Sequence, residues 1–544
     1  MPDPNKPERK KWTLMFYLAS DNPLAPGVIS QLKAIKAAGW HKQANVIVQF
    51  DPYTEDTPTH IFDVNLVRKL KSPKPHDIGF REDDSFVPNL VEDKLWRDEV
   101  DRDDKPIRDR LMATIPGYAP DKPPNGLTTN ANGHTKEPGP RKSLRSFLEF
   151  CADSYPAEHY ILFLLGHGVV VGNDVFLFDE HGDEQTLALG DLRFVLHDFN
   201  KRLNKKGVLE MVSFHSCSVS SVEVAYELKD VTRYMLASQA TTYVGSWPYR
   251  QILMRIFNSL KPDRRPETIE EMLRDLFFYC LHNSKDFLLA GYPYDICLSR
   301  LGAPMAEAKG EIDKLAGALI KGVKTFREEI VKAHLKAQSF QSELYTDVID
   351  FCRCLFQTLS EGTSAGEDET TRTEIKNACK SVIAAVQNCI DRASFAGPEY
   401  QYARGFSIYF PWSKPSDSLM LRYADYTFAE PQQSSWFGFL AAYFRTTMRD
   451  TIKDESAQPI AGLDIQIAAV KPPSKDEELA EDQLALVYTQ AALQASPFAL
   501  DKPIKTDSGD PMGACACSSI KNYPRDTRRR RERKKPSAGF AMSS

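Results

Sequence analysis

Long hydrophobic runs are missing from this sequence. The longest, I-L-F-L-L at 161–165, is far shorter than the ~20 apolar residues that a membrane-spanning helix needs. The polar N-terminus, M-P-D-P-N-K-P-E-R-K-K-W, is not followed by an apolar segment of signal-peptide length. We therefore predict no membrane association, no export signal and a cytoplasmic location.

Cysteine and excess charge are also scarce. The chain has 10 cysteines in 544 residues, and without an export signal we predict reduced thiols rather than a disulfide framework. The net charge at pH 7 is only -5, which argues against a chain-wide binder of nucleic acid or other polyanions. The apolar fraction of 42% and the charged fraction of 26% are typical of a soluble globular protein.

Strand and helix patterns alternate along residues 12–449. The apolar runs W-T-L-M-F-Y-L at 12–18 and N-V-I-V-Q-F-D at 45–51 flank a helical pattern at about 27–38, which predicts a βαβ unit and a parallel sheet. Further strands are predicted at 160–165, 208–214, 233–238, 294–301 and 405–411. Further helices are predicted at 143–155, 190–204, 220–229, 249–260, 303–335, 344–359, 372–394 and 435–449.

Three segments depart from this pattern and define the predicted domain organisation. Residues 1–11 form a polar tail. Residues from about 68–142 are rich in Pro, Asp, Lys, Asn and Gly, which predicts an exposed, partly disordered insertion. Residues 450–544 form a largely disordered extension that contains the basic run R-R-R-R-E-R-K-K at 528–535. The remaining 12–449 is then one domain that carries the insertion.

Two predicted strands end in residues with nucleophile and base chemistry. Cys217 follows the strand at 208–214, and Ser220 with Glu223 forms a predicted capping box for the next helix, whose positive end would favour the thiolate. His167 follows the strand at 160–165 between two glycines, and a base beside a thiol suits nucleophilic catalysis. A buried structural cysteine and a histidine in a surface turn are the alternatives. The spacing of about 50 residues occurs in caspase-type proteases.

Several longer motifs resemble the clostripain-family cysteine peptidases. These are S-L-R-S-F-L-E-F-C-A-D-S-Y-P-A-E-H-Y-I-L-F-L-L-G-H-G, C-S-V-S-S-V-E-V-A-Y-E-L-K-D, A-S-Q at 237–239, W-P-Y at 247–249, G-F-S-I-Y-F-P at 405–411 and Y-L-A-S-D-N-P-L at 17–24. The resemblance spans roughly residues 12–449. It implies a caspase-like three-layer α/β/α sandwich with a mostly parallel sheet, and a cysteine endopeptidase that needs no cofactor.

The resemblance also implies roles for individual residues. Cys217 matches the nucleophile and His167 the general base, while the backbone N–H of Gly168, with that of Cys217, would form the oxyanion hole. Ser238 and Trp247 lie in the family landmarks A-S-Q and W-P-Y. With His215 they are assigned to substrate binding.

The sequence departs from the family at the specificity pocket. Family members usually carry Asp two residues before the nucleophile and prefer Arg or Lys before the cut, but this chain has His215 there, and T-T-Y-V-G-S-W-P-Y lacks a second acid. We hypothesise that His215 lines the pocket and shifts the preference away from basic residues. The alternative is a buried, hydrogen-bonded His215 that does not touch substrate.

Further predictions concern metals, partners and alternative functions. Related proteases can be activated by calcium, and the acidic turn at Asp179 and Glu180 is a candidate site, but it lacks EF-hand spacing and a solvated hairpin tip is the favoured interpretation. No metal site is predicted. The partners expected are a protein or peptide substrate and a protease or regulator acting at 68–142 or 450–544. A degenerate family member that binds peptides without cutting them, and a protease with a C-terminal docking or autoinhibitory module, are the alternative functions.

Overall fold

A computed structural model of the chain describes the residues that build the sheet, its helices and the site. These are residues 8–22, 24–51, 60–64, 128–129, 135–136, 139–168, 176–177, 179, 186–283, 292–340, 344–361, 368–412, 414–429 and 435–452. Most of the predicted tail at 1–11, of the insertion at 68–142 and of the extension at 450–544 lies outside the described residues, as does Glu180. The domain boundaries at these positions stay predictions.

An eight-stranded sheet forms the centre of the fold, in the order β12-β9-β8-β7-β6-β1-β2-β3. Its inner strands β2, β1, β6, β7 and β8 are parallel, and antiparallel strands close both edges. The strands of the chain are β1 (Lys10–Leu18), β2 (Ala44–Phe50), β3 (His60–Asp63), β4 (Thr128–Thr129), β5 (Thr135–Lys136), β6 (Ala157–Leu165), β7 (Val208–His215), β8 (Tyr234–Ala237), β9 (Tyr294–Arg300), β10 (Ser339–Phe340), β11 (Tyr345–Asp347), β12 (Ile390–Ala396) and β13 (Ser407–Tyr409).

Helices cover both faces of this sheet. They are α1 (Ala25–Ala37), α2 (Pro140–Ser154), α3 (Leu189–Leu203), α4 (Val222–Leu228), α5 (Tyr249–Ser259), α6 (Ile269–Asn283), α7 (Ala303–Gly322), α8 (Arg327–Lys336), α9 (Val348–Glu361), α10 (Glu369–Cys389), α11 (Asp417–Ala424) and α12 (Trp436–Ile452). Alternate residues of β1 point to opposite faces. Met15 packs in the core with α2 and α3, while Leu14 packs in the other core with α1, α5 and α6. The predicted three-layer α/β/α sandwich is confirmed.

Two predicted helices differ from the structure. The helix predicted over 303–335 is two helices, α7 and α8. The helix predicted over 372–394 ends at Cys389, and the chain continues as β12, which pairs antiparallel with β9. Helix α6 was not predicted. Strand β12 pairs with a strand about 90 residues earlier, and the local periodicity of the sequence does not reveal such a long-range contact.

One buried histidine makes the stability of this fold depend on pH. The ring of His334 lies between those of Phe410 and Trp412, with centroids 3.7 Å and 4.1 Å away. Burial lowers its pKa to about 3 because the charged form is disfavoured. In the unfolded chain the pKa is ~6.5, so below that pH the unfolded state takes up a proton that the folded state does not. The stability then falls with falling pH until the folded pKa is reached.

His334→Phe removes this titration and keeps an aromatic ring between the two neighbours. From about pH 7.5 to pH 5, we expect the wild type to lose about 2 kcal/mol of unfolding free energy relative to the variant. Urea unfolding at both pH values measures the difference. Parallel pH dependences for the two proteins would contradict the assignment.

Candidate active site

The two candidate catalytic residues extend from neighbouring parallel strands at the same level. Strand β6 pairs with β7 so that Leu165 lies opposite His215, and the Gly166 N–H donates to the His215 carbonyl at 3.4 Å. His167 and Cys217 each follow two residues later. The carboxyl edge of a parallel sheet is where sites of open α/β folds are built.

Gly168 brings the two strand ends into direct contact. A Cβ atom built on Gly168 would lie 1.8 Å from the Cys217 carbonyl oxygen and 2.7 Å from its backbone nitrogen. Only a residue without a side chain allows this approach. The Gly-His-Gly turn therefore packs against the backbone of the cysteine itself.

His167 has the protonation state that a general base requires. Burial lowers the pKa of His167, and the interaction with Cys217 partly opposes this by raising it. The imidazole is therefore neutral at neutral pH, and a nearby thiolate favours its protonated form. The Leu177 N–H donates to the His167 carbonyl at 3.2 Å and fixes the turn.

The thiol of Cys217 is enclosed. Its side chain has 0% exposure, the Thr242 N–H donates to Sγ at 3.3 Å, and Sγ lies 3.7 Å from the Thr242 carbonyl oxygen. The Thr242 N–H would stabilise a thiolate, whereas the Thr242 carbonyl accepts from the neutral thiol. Sequence reasoning missed Thr242, because nothing in the local pattern links it to a cysteine 25 residues earlier.

The helix after Cys217 differs from its prediction. Helix α4 begins at Val222, and its N-cap is Ser221, whose Oγ accepts from the Val224 N–H at 3.3 Å. The predicted cap Ser220 instead donates to the Gly405 carbonyl at 2.6 Å. The predicted capping box is therefore wrong, and the N–H of Thr242, rather than this short helix, is the donor that the structure places at the sulfur.

Glu223, the other half of that predicted box, bonds elsewhere. Its Oε1 accepts from the Tyr409 N–H at 2.8 Å and from the Tyr423 hydroxyl at 3.0 Å. Burial raises the pKa of this carboxyl group. Glu223 therefore ties α4 to the strand β13 and the helix α11.

Two hydroxyl groups flank Cys217. Ser216 and Ser218 have 0% and 1% exposure, and their Oγ atoms have no hydrogen-bond partner among the described residues. Ser218 also has a left-handed backbone, with φ of 55°. Buried hydroxyls are normally bonded, so these two depart from the usual pattern.

His215 is fully buried, with 0% exposure. Its Nε2 lies 2.6 Å from the Tyr243 carbonyl oxygen, which can only accept, so this nitrogen carries the proton. Its Nδ1 then accepts from the Tyr249 hydroxyl at 3.0 Å, and the ring stacks on Trp247 with centroids 4.7 Å apart. Burial lowers the pKa of His215 to about 4, so the ring is neutral. This is the buried, hydrogen-bonded arrangement that was the alternative to a pocket-lining role.

The other two residues assigned to substrate binding are also buried. Ser238 donates to Asp295 Oδ1 at 2.8 Å, and the indole N–H of Trp247 donates to Ser213 at 2.9 Å. Their exposures are 1% and 3%. The assignment of Ser238 and Trp247 to substrate binding stays a prediction.

Within the part of the chain that the structure describes, no group of three or more His, Cys, Asp or Glu side chains could hold a metal ion. Over the same residues, no helix has the length and apolar character needed to cross a bilayer.

A match to a family model identifies the family of this chain. The model of the clostripain family matches residues 125–436, which is more than half of the chain and includes both strand ends. The chain belongs to the clostripain family. Clostripain from Hathewaya histolytica is 22% identical over 393 residues, covering 66% of this clostripain-family chain but only 63% of the relative. The chain thus spans less than two thirds of that relative's length.

Solved structures of C11 cysteine proteases are only distantly similar to this chain. A secreted C11 cysteine protease from Bacteroides thetaiotaomicron, in complex with an irreversible peptide inhibitor, is 13% identical with a TM-score of 0.44, covering 80% of this chain and 99% of the other. An inactive zymogen C11 protease from Parabacteroides distasonis is 14% identical with a TM-score of 0.42, covering 78% and 98%.

Proposed function

We propose that this chain is a cysteine endopeptidase that hydrolyses peptide bonds through Cys217 and His167. The observation that carries the proposal is the contact between the two strand ends, where Gly168 packs on the backbone of Cys217. Family membership supports the same chemistry. The protein or peptide substrate, the predicted cytoplasmic location and the independence from cofactors remain parts of the proposal.

The reaction proceeds in two halves. Neutral His167 accepts the Sγ proton, and the thiolate attacks the scissile carbonyl carbon, forming an S–C bond while the carbonyl electrons move to oxygen. The N–H groups of Gly168 and Cys217 donate to that oxyanion. The C–N bond then breaks, and His167 returns its proton to the leaving amine. In the second half, His167 deprotonates a water molecule that hydrolyses the thioester.

The preference before the cut is proposed to be shifted away from Arg and Lys. The position that holds an acid in relatives carries a neutral imidazole here, because the pKa of His215 is lowered to about 4. Because His215 is also buried, a basic side chain would find neither contact nor opposite charge at that position. The cleavage profile of a peptide library measures which side chain is preferred instead.

The proposal is tested by incubating the full chain with a proteome-derived peptide library and identifying new termini by mass spectrometry. We expect cleavage by the wild type, a loss of at least ~10⁴-fold in Cys217→Ala and a loss of ~10²–10⁴-fold in His167→Ala. Residues other than Arg and Lys should dominate before the cut. Cleavage that survives in Cys217→Ala would contradict the proposed nucleophile.

The alternative function is a peptide-binding module without catalysis. The 0% exposure of Cys217 favours it, because a substrate carbonyl can reach Sγ only after surrounding residues move. A binding module would retain library peptides equally in the wild type and in Cys217→Ala, and would generate no new termini.

A further inference from the structure

The nucleophile segment at 216–221 is held by a second segment at 238–242, which follows strand β8. Two backbone hydrogen bonds join them, from the Ser218 N–H to the Ala240 carbonyl at 3.1 Å and from the Ser220 N–H to the Ser238 carbonyl at 2.9 Å. The Thr242 N–H completes the contact by donating to Sγ of Cys217. The position of 238–242 therefore sets both the backbone of the nucleophile and the donor at its sulfur.

A single carboxylate organises three successive residues of that second segment. Asp295 Oδ1 accepts from the Ser238 hydroxyl at 2.8 Å and from the Ala240 N–H at 2.9 Å, while Oδ2 accepts from the Gln239 N–H at 2.9 Å. Asp295 is on strand β9 and is 3% exposed. Strand β8 ends at Ala237, so these bonds replace the sheet pairing that the segment has left.

The side chain of Gln239 secures the segment from the opposite direction. Its Nε2 donates to Asp347 Oδ2 at 3.0 Å, and its Oε1 accepts from the Gly405 N–H at 2.9 Å. Asp347 also accepts from the Arg404 N–H at 2.7 Å. The segment is thus held in two ways: its backbone N–H groups donate to Asp295, and the side chain of Gln239 donates to Asp347.

We propose that Asp295 is a positioning residue for Cys217, because its carboxylate fixes the backbone of 238–240 and through it the donors and acceptors that hold the nucleophile. This inference rests on the proposed peptidase function for its catalytic readout. Asp295 does not touch the sulfur, and its effect passes through Ala240 and Thr242. A carboxylate suits this place because it has only acceptors for the three donors, whereas an amide would turn its own NH₂ towards one of them.

The test compares Asp295→Asn with a matched control in the full chain. Asp391→Asn changes another buried carboxylate of the same sheet, which accepts from Arg274 at 2.7 Å and 2.8 Å and makes no contact with 238–242 among the described residues. We expect Asp295→Asn to lower kcat by about 10–100-fold on the best library peptide, with KM within about threefold of wild type. Asp391→Asn should lower the melting temperature but leave kcat unchanged.

A second readout does not depend on catalysis. The rate of iodoacetamide alkylation of Cys217, followed by mass spectrometry of its peptide across the pH range, should reach half its maximum about one pH unit higher in Asp295→Asn than in wild type and at an unchanged pH in Asp391→Asn. If the wild type cleaves nothing, the proposed function fails while this pH profile still tests the positioning. If the wild type cleaves peptides and Asp295→Asn keeps both its kcat and its alkylation pH profile, the positioning inference is overturned alone.

If Asp295→Asn does not fold completely, a milder variant still tests the inference. Ser238→Ala removes one of the three donors to the carboxylate and leaves the other two. We expect kcat to fall about 3–10-fold, in line with the loss of one hydrogen bond to a charged group, with KM unchanged. A kcat equal to wild type in Ser238→Ala, with folded protein, would also count against the inference.

Discussion

Gly168→Ala is expected to lower kcat/KM by at least ~10²-fold, because it separates the two halves of the site. The added Cβ would stand 1.8 Å from the Cys217 carbonyl oxygen, 2.6 Å from its carbon and 2.7 Å from its nitrogen. All three atoms belong to backbone, so no side chain can rotate out of the way. The Gly-His-Gly turn must therefore shift away from β7, and His167 shifts with it. Overpacking of this kind also costs about 1–3 kcal/mol of stability.

Gly310→Ala is the matched control for this change. A Cβ on Gly310, in the middle of helix α7, meets no atom within 4 Å. We expect wild-type kcat/KM and a gain of about 1 kcal/mol in unfolding free energy from the better helix propensity of alanine. Peptide hydrolysis and urea unfolding measure both variants. A Gly168→Ala protein with wild-type kcat/KM would show that close packing of the two strand ends is not needed.

His215→Asp is expected to destabilise the protein by about 3 kcal/mol or more without creating a preference for Arg or Lys. The imidazole donates through Nε2 to the Tyr243 carbonyl and accepts through Nδ1 from the Tyr249 hydroxyl. A carboxylate has no proton for the carbonyl, and its charge would be buried in a place with 0% exposure. Its smaller side chain also leaves a gap beside Trp247, on which the imidazole stacks.

His215→Gln is the matched control, since its amide can still donate to one carbonyl and accept from one hydroxyl. We expect a loss about half as large or smaller, measured by urea unfolding at pH 7.5, and an unchanged cleavage profile. A stable His215→Asp protein that cleaves after Arg or Lys would restore the hypothesis that position 215 lines the specificity pocket.

The sequence was sufficient to place the two candidate catalytic residues. Apolar runs end before Gly166 and before His215, and the register of β6 against β7 then puts His167 and Cys217 level with each other. The strand ends are local features that composition and turn residues record. The long motifs that resemble the clostripain family added the roles of individual residues, and the family itself is confirmed.

The surroundings of Cys217 could not be predicted in the same way. The partners of His215 lie 28 and 34 residues later in the chain, and Asp295 bonds to residues 55 to 57 positions before it. Such contacts depend on how loops after several strands converge, which no local pattern encodes. The capping prediction failed for a related reason, because Ser220 is drawn to the distant Gly405 carbonyl and leaves the cap to Ser221.

The central claim is that His167 and Cys217 work as one catalytic pair. The most direct measurement is the rate of iodoacetamide alkylation at Cys217, resolved by mass spectrometry across pH 5–9 in wild type and His167→Ala. The account predicts that Cys217 reacts faster than the buried thiols of Cys151 and Cys297, and that His167→Ala slows its alkylation near neutral pH by about 10-fold or more. Equal rates and equal pH profiles in the two proteins would contradict the pairing.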